Sequence, residues 1–97
     1  MTKADLVAKI SEKLGIEKGD VQATVETFME EVKTSLESGD NVYLRGFGSF
    51  IIKTRAEKTG RNISKNTTMI IPEHFIPAFK PSKSFVNKVK ANVVKLR

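Results

Sequence analysis

The chain has 97 residues, 39% of them hydrophobic, no cysteine and a net charge of +6. This length fits one domain, the lack of cysteine excludes disulfides and thiolate metal sites, and we expect neither a signal peptide nor a membrane span. The charge divides the chain: residues 1–44 have nine acids against five lysines, and residues 45–97 have twelve basic residues against two acids. We therefore expect a soluble intracellular protein whose basic half binds a polyanion, with nucleic acid favoured over an anionic membrane or an acidic protein.

Two amphipathic helices are predicted for the N-terminal half. Thr2 is a good N-cap, and Asp5 stands three residues later at the position of a capping box. Apolar residues at helical spacing then lead to Gly15, which should end the helix. The second helix should begin near Lys18 and end at about Ser38, with one broad apolar stripe. Acids crowd its solvent face and would repel phosphate, so a scaffold is favoured over a helix–turn–helix DNA reader.

A β-rich, basic segment follows the helices. A short strand is predicted over residues 41–45, and the glycines on either side of Phe47 indicate a tight connection between closely approaching backbones. Two β-rich runs, residues 49–56 and 67–79, then flank the polar residues 57–66 in the pattern of a hairpin. The outer part of this hairpin has too few apolar residues to pack on a core. We expect it to project into solvent as a basic ribbon that finds its packing partner in a nucleic acid.

Ser82 should cap a last helix with one apolar face. The elements are then two helices, three strands and one helix, an α+β fold, in a single domain over residues 1–97. We expect a helical dimerisation base (1–40), a sheet with the nucleic-acid-binding ribbon (41–81), and a C-terminal helix with a tail (82–97). The apolar content exceeds what so thin a body could bury alone, so we expect an obligate dimer.

Several motifs carry a resemblance to a known family. They are Gly46-Phe47-Gly48-Ser49-Phe50, Arg55, Gly60-Arg61-Asn62, Pro77-Ala78-Phe79 and Lys80-Pro81-Ser82-Lys83. In these motifs, and over residues 1 to about 90, the chain resembles the bacterial HU and integration host factor family. The resemblance implies an intertwined dimer in which helices form the base, sheets form a saddle, and two ribbons follow the minor groove and bend the duplex.

The resemblance also implies what the protein binds and where. The partner would be double-stranded DNA, bound largely without sequence specificity, in a cytoplasmic protein of the nucleoid that has no cofactor and no small-molecule substrate. The dimer would be a homodimer or a heterodimer with a paralogue. The candidate DNA-binding residues lie on the ribbon, on the saddle and at helix starts, where free N–H groups attract phosphate. They are Lys3, Arg45, Lys53, Arg55, Lys58, Arg61, Asn62, Ile63, Lys65, Lys80, Ser82 and Lys83.

The ribbon tip departs from the family pattern. Asn62 is followed by Ile63 where the family has the proline that wedges between base pairs, so Ile63 is either a replacement wedge or a neutral substitution. Two other binding modes stay open: an RNA or mixed nucleic-acid binder, and a sequence-preferring subunit like integration host factor. Stacking aromatics for RNA are missing from the outer ribbon, which favours duplex DNA.

An enzyme is not expected. The sequence has no phosphate-binding loop, no paired carboxylates in an apolar setting and no nucleophile motif. His74 is the only histidine, and without a cysteine or a second histidine it does not indicate a metal site.

Overall fold

The computed structural model describes residues 1–62 and 67–93 of the chain. Within these ranges three helices and antiparallel strands confirm the predicted α+β fold. In chain order the elements are α1 (Lys3–Leu14), α2 (Lys18–Glu37), β1 (Val42–Leu44), β2 (Gly48–Arg55), β3 (Lys58–Asn62), β4 (Thr67–Ile71), β5 (His74–Pro81) and α3 (Lys83–Asn92). No helix in this part of the chain is long and apolar enough to cross a membrane.

The first helix begins and ends where its sequence predicts. The Thr2 hydroxyl accepts from the Asp5 N–H at 3.2 Å, and the Thr2 N–H donates to an Asp5 carboxylate oxygen at 2.9 Å. This capping box satisfies two backbone N–H groups at once, and such a cap contributes about 1 kcal/mol to helix stability. Gly15 ends the helix with a φ of 69°, a conformation that glycine adopts without strain.

The predicted hairpin is divided into two separately paired parts. Strands β1, β2 and β5 form one antiparallel sheet in that order, and β3 pairs only with β4. The first ladder ends at the pair Arg55 and His74, and the second begins at the pair Lys58 and Ile71. Residues 56, 57, 72 and 73 therefore form a break in both strands, which we call the joint. Pro72 has no N–H to donate to a ladder, which is a physical reason for the interruption at this place.

The three-stranded sheet has one apolar face and one face that carries the cations together with a few aliphatic residues, because side chains alternate along each strand. The apolar face carries Phe50 and Ile52 from β2, with Pro77 and Phe79 opposite them on β5. The end of α2 lies over this face, where Leu36 lines a cavity of about 360 Å³ together with Ile52 and Pro77. The opposite face, which carries the cations described below, is thereby left open.

Aromatic rings connect the apolar face to the last helix. The ring centroids of Phe47 and Phe79 are 5.0 Å apart, those of Phe50 and Phe79 are 4.9 Å apart, and those of Phe47 and Phe85 are 5.7 Å apart. These are distances at which aromatic pairs attract each other beyond simple burial. Phe47, Phe50 and Phe79 thus form one aromatic cluster, although 45% of Phe47 is still exposed in a single chain.

A single chain buries very little. Among the described residues the only buried hydrophobic side chains are Val7, Val21 and Val32. The radius of gyration is 19.2 Å, whereas a compact domain of 100 residues has about 13 Å. Large apolar side chains remain exposed on both helical and sheet elements, among them Phe28, Met29, Phe79 and Phe85. A chain of this shape needs a partner chain to complete its core, as the sequence predicts.

Candidate nucleic-acid interface

A tight turn places Arg45 beside the start of the last helix. The Phe47 N–H donates to the Leu44 carbonyl at 2.9 Å, and Gly46 has a φ of 81°, as the third residue of a type II turn requires. The Phe47 carbonyl in turn accepts from the Ser82 N–H at 2.9 Å. This second bond fixes the beginning of α3 against the turn, so that both belong to one rigid surface.

The cations of this surface surround a concavity that we call the saddle cavity. It has a volume of about 360 Å³ and is lined by residues of β1, the turn, β2, the end of β5 and the start of α3. Four of the candidate DNA-binding residues, which lie far apart in sequence, meet here: Arg45, Lys80, Ser82 and Lys83. Three positive charges around one opening attract phosphate and raise the local concentration of a polyanion.

The N-terminus of α3 adds to the positive potential of the saddle cavity. The Ser82 hydroxyl caps the helix by accepting from the Phe85 N–H at 3.2 Å. The first turn has no acidic residue, so its remaining free N–H groups and the helix dipole are not neutralised by the chain itself. Lys83, the first residue of the helix, adds a full charge at the same end. Phosphate oxygens bind readily at such helix starts.

The basic face of the sheet continues from the saddle cavity toward the ribbon. Ser49 pairs with Lys80, and Lys53 and Arg55 follow on the same face of β2 because alternate residues share a face. Lys53, Arg55 and Lys80 are all exposed. Beyond the joint, Lys58 is exposed at the start of β3. The structure therefore arranges the inner ribbon cations and the saddle cations along one path.

The remaining candidates have different surroundings. Lys3 stands at the start of α1, where its Nζ atom is 2.7 Å from Glu26 Oε2, so its charge is already paired within the chain. The backbones of Arg61 and Asn62 pair with β4. Ile63 and Lys65 lie outside the described residues.

Two acids interrupt the basic path at the joint. Glu57 and Glu73 are the only acidic residues between positions 45 and 97, and both are exposed at the break, one on each strand. They are sixteen positions apart in the sequence, and only the register of the ribbon places both of them at the same break. His74, next to Glu73, turns its Nδ1 atom to the Pro72 carbonyl at 2.9 Å. No group of three or more potential metal ligands occurs within residues 1–62 and 67–93.

The sequence interpretation also missed two residues on the open face. Tyr43 and Ser49 pair across β1 and β2 and line the saddle cavity together with Lys80. The signal was present in the alternation of the segment Asn41 to Arg45, in which Val42 and Leu44 are less exposed than Tyr43. Tyr43 carries no charge and lies outside the motifs that carry the family resemblance, so neither charge nor resemblance points to it.

Comparison with known proteins identifies the family to which the chain belongs. Residues 1–90 match the family described as bacterial DNA-binding protein. The chain is a member of this family. The resemblance to HU and integration host factor is confirmed by relatives that align over nearly the whole chain. The chain is 42% identical to integration host factor subunit alpha of Aliivibrio fischeri, over 99% of this chain and 94% of that protein.

HU proteins are related to a similar degree. The prophage-derived DNA-binding protein HU 2 of Bacillus subtilis is 38% identical, over 94% of this chain and 99% of its own length. Among solved structures, the co-crystal structure of Anabaena HU with DNA has a TM-score of 0.87 and 38% identity, and the match covers 92% of this chain and 97% of that one. The fold of this DNA-binding family member is therefore the fold of HU. The family consists of structural DNA-binding proteins, which agrees with the expectation that the chain is not an enzyme.

Proposed function

We propose that two copies of this chain form an architectural DNA-binding protein of the bacterial nucleoid, which holds duplex DNA largely without sequence specificity and bends it. The observation that carries the proposal is the two-sided sheet. Its apolar face lies under α2 and bears the half-exposed Phe47 and Phe79, which a second chain can cover. Its opposite face is open and leads from the saddle cavity to the ribbon cations. Such a dimer presents the saddle cations and the inner ribbon cations on the same side to a polyanion.

The saddle and the ribbon would contact DNA in different ways. Arg45, Lys80, Lys83 and the start of α3 would hold phosphates beside the saddle. Lys53, Arg55 and Lys58 would follow the backbone outward along the minor groove. Contacts of this kind position the protein but carry little sequence information, because every base pair has the same phosphates. Low specificity follows from this distribution of charge.

For the outer ribbon, the proposed DNA contacts are assigned from the sequence alone. The residues assigned to it are Arg61, Asn62, Ile63 and Lys65. Lys3 would contact phosphate only after exchanging the carboxylate of Glu26 for it, since the two side chains are in contact in the free chain.

The dimer is expected to be the folded unit. A homodimer is the simplest assembly for a chain that buries three hydrophobic side chains by itself among the described residues, and a heterodimer with a paralogue is the alternative. If folding and association are one event, the thermal midpoint rises with protein concentration. A midpoint that does not change with concentration, together with a monomer mass in sedimentation, contradicts this assembly.

The function is tested by titrating the protein with intact duplex DNA, nicked duplex DNA and RNA at two salt concentrations. We expect the tightest binding to nicked duplex, whose bending costs less energy, and weak binding to RNA. Replacing both Lys80 and Lys83 with Ala should weaken binding to unrelated duplexes alike. The slope of log K against log salt should become shallower by about 0.9 for each phosphate that the variant no longer neutralises.

The matched control removes two lysines from the acidic half, Lys18 and Lys33. Lys33 is 2.9 Å from Glu30, so its charge is partly compensated in the chain. This variant should keep both the affinity and the salt dependence. Equal losses of affinity in the two double variants would show that the saddle cavity has no special part in binding. Tighter binding to RNA than to duplex DNA would identify RNA as the partner instead.

A sequence-preferring protein like integration host factor is the second candidate. The observation in its favour is Arg45, which the turn places at the saddle cavity, where it can reach the minor groove. Competition between unrelated duplexes separates the two candidates: similar affinities support the architectural protein, and a strong preference for one sequence supports the second.

A further inference from the structure

The only tyrosine of the chain stands on the open face of the sheet. Tyr43 is 71% exposed and lines the saddle cavity. Along β1 it alternates with Val42 and Leu44, which belong to the face that carries Phe50 and Phe79. A partner chain that covers the aromatic rings therefore leaves Tyr43 uncovered. A large, half-apolar side chain displayed in this way has no packing role in the described part of the molecule.

The hydroxyl group of Tyr43 is oriented by a side chain at the end of the strand. Asn41 precedes β1, and its Oδ1 atom accepts from the Ile52 N–H at 3.0 Å. Because a backbone N–H can only donate, this bond identifies the amide oxygen and leaves the NH₂ group on the other side. The Asn41 Nδ2 atom is 3.1 Å from the Tyr43 hydroxyl oxygen. The NH₂ group must be the donor there, so the hydroxyl accepts from Asn41 and keeps its own hydrogen for another acceptor.

A hydrogen-bond donor at this place can distinguish base pairs in the minor groove. An A·T pair presents two acceptors there, adenine N3 and thymine O2, whereas a G·C pair adds the donor N2 amino group of guanine. An O–H group that is free to donate is complementary to the first arrangement and meets the guanine amino group in the second. On the same face, Ser49 lies opposite Tyr43 and Lys80 lies opposite Ser49. This row can hold the sugar-phosphate backbone beside the groove.

We propose that Tyr43 donates a hydrogen bond to minor-groove acceptors and gives the protein a preference for A·T pairs over G·C pairs at the saddle. The inference deepens the proposed function and rests on it, since the saddle must face the minor groove of a bound duplex. A protein that binds most sequences through phosphates thus retains one contact that depends on the base pair. The preference is expected to be small, because a single neutral hydrogen bond changes affinity by roughly two- to tenfold.

The test uses duplex copolymers of alternating A·T, G·C and inosine·cytosine pairs, in which every binding register has the same sequence. Inosine lacks the N2 amino group of guanine but pairs with cytosine in the same way. For the wild type we expect similar affinities for the A·T and inosine copolymers and roughly three- to fivefold weaker binding to the G·C copolymer. In Tyr43→Phe the ring stays and the donor is removed, so the ratio between the inosine and G·C copolymers should fall toward one.

A second variant separates the hydroxyl orientation from the hydroxyl itself. In Asn41→Asp one carboxylate oxygen can still accept from the Ile52 N–H, while the other accepts from the Tyr43 hydroxyl and turns its hydrogen away from the DNA. The added negative charge lowers affinity for all three copolymers, but the ratio between them should fall as in Tyr43→Phe. Thermal midpoints of both variants at one protein concentration check that the dimer is intact.

Three results would overturn the inference. A wild type that binds the three copolymers equally shows that the hydroxyl bonds to phosphate or to nothing, and leaves the proposed function standing. A preference that persists unchanged in Tyr43→Phe comes from another residue or from DNA shape. A wild type that binds none of the copolymers removes the proposed function together with the inference.

Discussion

Lys3 and Glu26 join the first two helices through a contact of 2.7 Å between Nζ and Oε2. Gln22 donates to the same carboxylate oxygen at 3.2 Å. The hydrogen bond from Lys3, followed by that from Gln22 and by the lysine charge, lowers the pKa of Glu26 below its ordinary value of 4.5. The carboxylate is thus better stabilised in the folded protein than in the unfolded chain, although both side chains are exposed and water weakens the effect.

The first prediction follows from the sign of this shift. A carboxyl group whose pKa is lowered by folding stabilises the protein above its unfolded-state pKa, and this contribution is lost as the pH falls through the lower folded-state pKa. Glu26→Gln should therefore unfold at a lower temperature than the wild type at pH 7, and the difference should vanish in strong acid. Thermal unfolding of both proteins from pH 7 to pH 2 at one protein concentration measures this. Glu31→Gln is the matched control at an exposed position of the same helix, and an equal pH-dependent difference there would contradict the prediction.

The second prediction concerns the close approach of β2 and β5 at Gly48. A Cβ atom at this position would lie 2.6 Å from the Lys80 carbonyl oxygen and 2.6 Å from Cζ of Phe79. Neither neighbour can move freely, because one is backbone and the other is packed against Phe47 and Phe50. Gly48→Ala should destabilise the dimer by about 1–3 kcal/mol, as overpacked positions do.

A second glycine provides the control for this prediction. Gly19 lies near the beginning of α2, and a Cβ atom there would have no neighbour within 4 Å. Gly19→Ala should stabilise the protein by about 0.4–1 kcal/mol, because alanine restricts the unfolded chain. Denaturant unfolding of both variants at one protein concentration measures the difference. If Gly48→Ala proved as stable as the wild type, β2 and β5 would have more space between them at Gly48 than the 2.6 Å from an added Cβ atom to the Lys80 carbonyl oxygen indicates.

The sequence predicted the parts of the structure that depend on neighbouring residues. The capping box of Thr2 and Asp5 and the end of α1 at Gly15 involve positions three or four apart, and local hydrogen bonding decides them. Relationships across the sheet could not be predicted in the same way, because a shift of one residue in register moves every side chain to the other face. The Ile52 N–H donates to the Asn41 side chain, and in the register of β1 and β2 no residue of β1 lies opposite Ile52.

For the saddle cavity, too, the sequence predicts which residues are charged but not that they lie close together. The basic character of residues 45–97 is evident from the sequence, and the family resemblance indicates Arg45, Lys80 and Lys83 as contacts. Their meeting around one opening depends on the turn at Gly46 and on the bond between Ser82 and Phe47. No sequence pattern indicates that Arg45 lies close to Lys80 and Lys83, since the turn and the start of α3 are far apart in the chain.

The third prediction concerns the ribbon tip, which lies outside the described residues and is argued from the sequence. Ile63 is the only apolar residue between positions 57 and 66. Isoleucine can insert between base steps at an unstacking cost of a few kcal/mol. Ile63→Ala should then reduce the bend angle, and the preference for nicked DNA, more than it reduces affinity for intact duplex. Energy transfer between the ends of a short duplex at saturating protein measures the bend.

Replacement of the same residue with proline is the control for the wedge. Ile63→Pro should keep the bend, because proline is also an apolar wedge and its fixed φ lowers the ordering cost of the tip. If Ile63→Ala bends the duplex as far as the wild type does, the wedge is not at this position, and bending comes from neutralisation of phosphates alone.

The fourth prediction arises from the acids at the joint. Glu57 and Glu73 lie between the inner cations, Lys53 and Arg55, and Lys58 at the start of the outer ribbon. A carboxylate beside the phosphate backbone opposes binding, because it must give up its own solvation and repel a like charge. The two acids should therefore keep the joint away from the backbone and divide the phosphate contacts into an inner and an outer group.

Replacing both Glu57 and Glu73 with Gln should strengthen binding to unrelated duplexes alike. The salt dependence of log K should become steeper, by up to about 0.9 for each phosphate that the joint newly approaches. The control is the double replacement of Glu12 and Glu31 with Gln, which changes the net charge equally on the two N-terminal helices. Because a change in net charge acts at long range on any polyanion, the control should also bind slightly more tightly, but without a steeper salt dependence. If both double variants gained equally in affinity and in salt dependence, the position of the acids at the joint would have no part in DNA binding, and only the total charge of the protein would matter.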